Sequence, residues 1–263
     1  MTDVGGLADL AGTTVALLVL TAFAAGWVDA VVGGGGLLQL PALLLVPGMA
    51  PVQALATNKL ASVMGTSVSA ATYYRRVRPD LRTALPTAVA ALAGSAGGAA
   101  LATWLPGEAI TPIVLVALVG VGTWTAVRPE LGRTTALRWS GGRHYGAAAG
   151  IGLVIGAYDG LVGPGTGTFL VFAFVGVLGY AFLDASAKAK IVNAATNLGA
   201  LVVFALAGAP VWALGLLMGA ANVAGAYLGA RMAVARGSGF VRAVFLVVVA
   251  ALVVRLGWDV LTR

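Results

Sequence analysis

The chain has 263 residues, of which 60% are hydrophobic and only 10% are charged, with a mean hydropathy of +0.97 and a formal net charge of +7. Soluble domains carry about 45–50% apolar and about 25% charged residues, so this composition excludes an ordinary soluble domain. The absence of cysteine excludes disulfides, thiolate nucleophiles and cysteine-bound metals, and the single histidine, His144, argues against a histidine-based metal site.

Several apolar runs approach the length that a membrane helix needs. The run 110–127 has no charged residue, and a bilayer core of about 30 Å needs about 20 apolar residues in a helix. Strands of a transmembrane barrel would alternate with a period of two, which these runs do not. We therefore predict an all-α polytopic membrane protein with about eight to ten hydrophobic segments.

The first half is predicted to contain a broken helix followed by full spans. The predicted segments are 15–32, 37–46, 52–74, 83–101 and 110–127. The second segment is too short to cross the bilayer and stops at Pro47 and Gly48. It therefore forms, with the first, a span that is broken or folded back at the four glycines 33–36.

The second half is predicted to follow the same plan. Its segments are 144–162, 168–181, 187–206, 211–230 and 240–254, with a glycine-rich break at 163–167. We expect a first transmembrane repeat at 1–130, a polar cytoplasmic linker at 131–143 and a second repeat at 144–263.

One motif occurs in both halves. The run GWVDAVVGGGG begins at Gly26, and GAYDGLVGPGTG begins at Gly156. Asp29 and Asp159 occupy equivalent positions 130 residues apart in the sequence. An acidic residue next to a broken helix, present twice, is typical of transporters built from two repeats.

Arginines predict the orientation of these repeats. They cluster between the third and fourth segments, in the linker and after residue 230, whereas the intervening turns at 104–108 and 207–210 have no Lys or Arg. The positive-inside rule makes the arginine loops cytoplasmic and the N-terminus external. Matching segments then cross in opposite directions, which predicts inverted-topology repeats. Because the excess charge lies in these loops, it indicates topology and not a nucleic-acid partner.

The two aspartates and the two breaks are candidate functional elements. A charge at membrane depth costs about 2.5–3.5 kcal/mol on insertion scales, so Asp29 and Asp159 should face a cavity or a partner. They could couple a proton, or they could hold the breaks by accepting glycine N–H groups. Main-chain N–H groups at the start of the following helix can bind an anion, and the candidates are Gly34, Gly35, Gly165 and Thr166. The alternative role of these glycines is close helix packing.

The chain has three lysines and thirteen arginines. All three lysines lie near the start of the third segment of a half. Lys59 and Lys190 each begin a polar helix face, because positions three and seven residues further on share that face. An ammonium beside amides and hydroxyls suits an oxyanion, although a lysine at a helix end can also extend to the lipid headgroups. The candidate anion-binding residues are Thr57, Asn58, Lys59, Ser62 and Thr66 in the first half and Lys188, Lys190, Asn193 and Asn197 in the second.

These paired motifs resemble the signatures of the sulfite exporter TauE/SafE family over essentially the whole chain. The resemblance rests on the Gly26 motif with Thr57-Asn58-Lys59, and on the Gly156 motif with the run 187–197. It implies a multi-pass transporter of a prokaryotic inner membrane whose substrate is sulfite, sulfoacetate or a related sulfonate. It does not single out one substrate.

We therefore expect a secondary transporter that moves a small sulfur-containing anion by alternating access, without a cofactor or metal. A proton as coupling ion and a homodimer are additional expectations that the sequence leaves open. The alternatives are a passive anion channel and a permease for a non-sulfur organic anion. An enzyme is disfavoured, because the sequence shows no nucleophile–base pair, metal cluster or nucleotide motif.

Overall fold

The computed structural model describes residues 10–103 and 134–261, with side chains described as far as residue 247. The helices of the first half are α1 (Gly12–Val32), α2 (Gly36–Leu44), α3 (Pro51–Val77) and α4 (Leu81–Ala102). Those of the second half are α5 (Gly141–Leu161), α6 (Thr166–Ala173) with a π-helical turn (Phe174–Leu178), α7 (Phe182–Leu206) and α8 (Trp212–Leu261). The described elements are all helical, as predicted. The predicted segment 110–127 and the predicted boundary at residue 130 lie outside the described residues.

Four of these helices have the length and composition of membrane spans. They are α1, α4, α7 and the part of α8 from Trp212 to Val247. Helices α3 and α5 have 27 and 21 residues, and a rise of about 1.5 Å per residue makes both long enough to cross about 30 Å. Leu20 and Leu206 are 66% and 85% exposed on the outer surface. The molecule thus presents apolar side chains where a bilayer would contact it.

Most predicted boundaries agree within about three residues, and two differ more. Helix α7 begins at Phe182 rather than at residue 187, and Asp184 lies in its first turn, where a carboxylate interacts favourably with the helix dipole. The predicted loop between 230 and 240 is instead helical on both sides of a kink at Gly237, whose φ is 72°. Glycine adopts this left-handed conformation without steric cost, so a single residue makes the bend.

Glycines allow two pairs of helices to pack with their main chains in contact. A side chain at Gly26 of α1 would overlap the main chain of Asn222 on α8, and one at Gly156 of α5 would overlap the main chain of Ala91 on α4. Small residues at such positions let membrane helices approach closely. Each broken helix is thereby fixed against one long helix.

The lysine-bearing helices α3 and α7 lie at the centre of the bundle. They contact each other, α4 packs on α7, and α8 packs on α3. Helices α5 and α1 pack on the outer sides of α4 and α8. The two short helices α2 and α6 follow directly after the breaks and contact α3 and α7 respectively. This arrangement brings both breaks towards the two lysine-bearing helices.

Candidate functional site

The two helix breaks meet each other. Gly33 ends α1 with φ 93°, while Gly163 and Gly165 separate α5 from α6 with φ values of 91° and 84°. The main-chain N–H of Thr168 donates to the Gly33 carbonyl at 3.0 Å, and a side chain at Gly33 would overlap the main chain of Gly167. Gly33 is therefore required by both conformation and close approach, whereas Gly163 and Gly165 are required by their conformation.

The predicted lysines and aspartates form two ion pairs that cross between the halves. Lys59 Nζ on α3 lies 2.6 Å from Asp159 Oδ2 on α5, and Lys190 Nζ on α7 lies 3.3 Å from Asp29 Oδ2 on α1. The side chains of Lys59 and Lys190 are 1% and 0% exposed. Charges buried this deeply need a partner, and removal of one member of such a pair costs about 3–5 kcal/mol. Each half therefore neutralises a buried charge of the other half.

A polar cavity lies between the breaks and includes most of the predicted site. The space open to the centres of water molecules is about 20 Å³, which suits roughly one water. The cavity is lined by Asp29, Gly33, Gly36, Asn58, Lys59, Ser62, Asp159, Gly163, Gly165, Thr166, Gly167, Asn193 and Asn197. Nine of these were predicted as site residues from the sequence. Amide, hydroxyl and ammonium groups thus surround a space bounded by two carboxylates.

Three of the other predicted residues lie away from the cavity. Thr57 Oγ1 accepts a hydrogen bond from the N–H of Val211 at 3.0 Å, and Thr66 Oγ1 donates to the Ser62 carbonyl of its own helix at 2.8 Å. Lys188 Nζ lies 4.0 Å above the Tyr180 ring. The structure therefore does not bring these side chains to the cavity.

Three further predicted residues are close to the site without lining the cavity. Lys190 lies behind Asp29 and donates to both its carboxylate and its main-chain carbonyl. A side chain at Gly35 would lie 2.7 Å from Asp29 Cβ. Gly34 belongs to the same break and its carbonyl accepts from the N–H of Leu37 at 3.1 Å.

Three buried polar residues that the sequence analysis missed support the site. Ser95 on α4 donates to the Thr196 carbonyl at 2.7 Å and lies 3.5 Å from Asp159 Oδ2. Asn222 on α8 donates to Gln39 Oε1 at 3.0 Å and thereby ties α2 to α8. An isolated amide in an apolar span is a signal of an internal contact, so Gln39 and Asn222 could have been identified from the sequence.

A larger cavity of about 450 Å³ lies at the opposite end of α5, and neither ion pair lines it. His144 is buried there, and its Nε2 lies 2.9 Å from the Tyr180 hydroxyl. No group of three or more His, Cys, Asp or Glu side chains that could hold a metal occurs among the described residues. The central cavity, which combines a buried ammonium with neutral donors, is the better candidate for an anion.

Comparison with known proteins identifies the family. The family model of the sulfite exporter TauE/SafE matches residues 18–256. The chain is 37% identical to the "Probable membrane transporter protein ORF9" of Sinorhizobium sp, covering 94% of each chain. It is 35% identical to the "Probable membrane transporter protein YfcA" of Escherichia coli K12, covering 92% of this chain and 89% of that protein.

A third relative, a "Probable membrane transporter protein" of Haemophilus influenzae, is 34% identical over 89% of this chain and 91% of its own length. No solved structure matches the chain significantly. The match with the family model covers nearly the whole chain, and the apolar helices fit a multi-pass membrane protein. The chain is a membrane transporter, not an enzyme, and belongs to the sulfite exporter TauE/SafE family.

Proposed function

We propose that this protein is a secondary transporter that moves a small sulfur-containing anion, such as sulfite, sulfoacetate or a related sulfonate, across the cytoplasmic membrane. The observation that carries the proposal is the buried Lys59 ammonium, which lines the polar cavity where the two breaks meet. An ammonium supplies charge for an oxyanion, and neighbouring amides and hydroxyls supply directed hydrogen bonds. The sulfur chemistry of the substrate rests on the family description.

The neutral groups around Lys59 favour an oxyanion with several acceptor atoms. Asn58, Asn193 and Asn197 line the cavity together with Ser62 and Thr166. Helices α2 and α6 both begin at this point, and the first N–H groups of a helix have no acceptor within it. The N–H groups of Leu37 and Thr168 bond to the carbonyls of Gly34 and Gly33, so the candidates for anion binding are the N–H groups that precede them. A sulfite or sulfonate group presents three oxygens, which such a set of donors can surround.

Alternating access between two inverted halves is the mechanism that fits this arrangement. Two contacts support the repeat: α1 packs on α8 through Gly26, and α5 packs on α4 through the equivalent Gly156. The ion pairs likewise join equivalent residues in opposite directions. We place the arginine loops in the cytoplasm and the boundary between the halves in the linker 131–143.

Opening of the cavity is part of this mechanism. A space of about 20 Å³ for water centres suits roughly one water molecule, whereas a sulfite or sulfonate group is several times larger than a water molecule. Binding therefore requires that the breaks move apart and that a lysine leaves its carboxylate. A proton that neutralises the carboxylate at that moment keeps the charge of the cavity unchanged, which gives the protein a means of coupling anion movement to protons.

Transport by purified protein in liposomes tests the proposal. We expect saturable uptake of radiolabelled sulfite or sulfoacetate that accelerates when unlabelled anion is loaded on the other side. Lys59→Gln should abolish this uptake, whereas Arg231→Gln should retain it, because Arg231 is exposed and contacts Tyr227.

Three results would contradict parts of the proposal. Uptake that is linear in concentration and shows no counterflow would indicate a channel. Uptake of carboxylates but of no sulfur anion would indicate a permease for another organic anion. Normal sulfite or sulfoacetate uptake by folded Lys59→Gln protein would remove the lysine from the site.

A further inference from the structure

The two crossed ion pairs are equivalent in sequence but not in structure, and we propose that they have different roles in transport. Lys59 and Asp159 form the pair that opens to receive the substrate anion. Lys190 is a positioning residue that holds the broken end of α1 and the carboxylate of Asp29. This assignment rests on the proposed transport function and goes beyond it by distinguishing the two lysines.

Lys59 has direct access to the cavity. Its side chain and that of its partner Asp159 both line it. A Cβ atom at Gly163 would lie 3.2 Å from Lys59 Nζ, so the glycine leaves room for the ammonium beside the second break. Next to it in sequence, Asn58 lines the cavity with a buried Oδ1 that has no hydrogen-bond partner among the described residues. Asn58 thus places an amide beside the ammonium on α3, and its Nδ2, rather than this oxygen, is the group that can donate to an anion.

Lys190 has a different environment. It is fully buried, does not line the cavity, and donates to two oxygens of one residue, the carboxylate and the main-chain carbonyl of Asp29. The same carbonyl accepts from the N–H of Gly33 at 2.8 Å. A cation at this end of a helix interacts favourably with the last carbonyls and with the helix dipole. Lys190 therefore fixes the end of α1, and its effect on the cavity passes through Asp29.

The exchange at Lys59 balances in charge. Before binding, one ammonium faces one carboxylate; afterwards the ammonium faces the anion, and Asp159 has taken one proton. A monoanion and a proton then move together without net charge. A carboxylate that is 2% exposed cannot remain ionised at low cost once its cation has turned away. Within the part of the chain that the structure describes, the charged or titratable groups near Asp159 are Lys59 on α3, Asp29 across the cavity on α1 and Tyr158 next to it on α5.

Paired neutral substitutions distinguish the two roles, because removal of both members leaves no unpaired buried charge. We would compare Lys59→Gln/Asp159→Asn with Lys190→Gln/Asp29→Asn in liposomes, using radiolabelled sulfite and sulfoacetate over a range of pH. The first variant should lose saturable uptake. The second should transport more slowly and unfold at a lower temperature, but its KM should stay within about threefold of the original and its uptake should keep the same pH dependence.

Two single variants serve if a double variant does not fold. Lys59→Arg should raise KM at least tenfold, because the larger guanidinium must fit beside Gly163. Lys190→Arg should keep KM within about threefold, because arginine can still donate to both oxygens of Asp29. These variants also retain the charge of the site, so a change in KM reports geometry.

The outcomes separate this inference from the proposed function. If the unmodified protein takes up neither anion, the proposed function fails. If it transports and both double variants lose uptake equally, or if the Lys190 variants alone raise KM, the division between the pairs is wrong. The equal loss would indicate that the two lysines exchange roles during alternating access.

Discussion

The four consecutive glycines 33–36 look the same in sequence, yet a methyl group at each would meet different surroundings. Gly33 has a φ of 93°, and a Cβ there would overlap the main chain of Gly167 and Thr168. The left-handed conformation costs a residue with a side chain about 1–2 kcal/mol, and overpacking costs about 1–3 kcal/mol. We therefore expect Gly33→Ala to lower the free energy of unfolding by about 2–5 kcal/mol.

Gly36→Ala is the matched control in the same run. The nearest atom to its Cβ would be Pro164 Cα at 3.5 Å, an ordinary contact, and alanine favours a helix over glycine by up to about 1 kcal/mol. Each kcal/mol shifts the unfolding midpoint of a chain of this size by roughly 2–4 °C. Thermal unfolding of purified protein in detergent should therefore show a midpoint about 4–20 °C lower for Gly33→Ala and little change for Gly36→Ala. Equal midpoints for the two variants would refute the contact between the breaks.

Three further predictions concern other parts of the molecule. Gly98→Ala should lower the unfolding midpoint, because a Cβ at Gly98 would overlap the main chain of Ala157. Gly97→Ala should leave the midpoint unchanged, because a Cβ there has nothing within 4 Å. Similar midpoints for the two variants would contradict the packing of α4 on α5. Lys188→Gln should retain substrate uptake, since its ammonium lies over the Tyr180 ring and outside the central cavity; loss of uptake in folded protein would return Lys188 to the site. Asp80 is the N-cap of α4, where its side chain accepts from the N–H of Arg82. Partial burial raises the pKa of Asp80, but hydrogen bonds from the Thr83 hydroxyl and the N–H of Arg82 outweigh it and lower the pKa below its usual value. The stabilisation by this cap should therefore be present above about pH 4 and disappear as the pH falls through the pKa of the folded protein. The unfolding midpoints of the original protein and of Asp80→Asn should therefore converge in acid. A difference in midpoint that does not change with pH would count against the cap.

Hydropathy and spacing predicted most of the helices, because a bilayer allows few alternatives to an apolar helix. The sequence also predicted both breaks, since several glycines close together disfavour a helix interior. It did not predict the bend in α8 at Gly237, because the run Gly237-Ser238-Gly239 beside Arg236 is equally compatible with a loop. The early start of α7 was likewise not visible, since the hydrophobic run begins only after its first turns.

Nine of the thirteen residues that line the central cavity were among the predicted site residues, but the sequence did not predict the ion pairs. Repetition of the motif identified Lys59, Lys190, Asp29 and Asp159 as a set. Which lysine meets which aspartate depends on how the halves face each other, and the spacing of residues within one half carries no such information. The alignment of Lys59 with Lys190 favoured Lys190 over Lys188, and the structure places the Lys188 ammonium over the Tyr180 ring, outside the cavity.

The crossed pairing has a consequence for biosynthesis. When the ribosome has delivered α1 to α4, Lys59 and Asp29 are already in the nascent chain, but the residues that neutralise them, Asp159 and Lys190, have yet to be made. Neither half alone can provide the partners that its buried charges have in the finished protein. Insertion of the first half therefore ends in an intermediate that depends on α5 and α7 for its final burial, and the two halves become stable together.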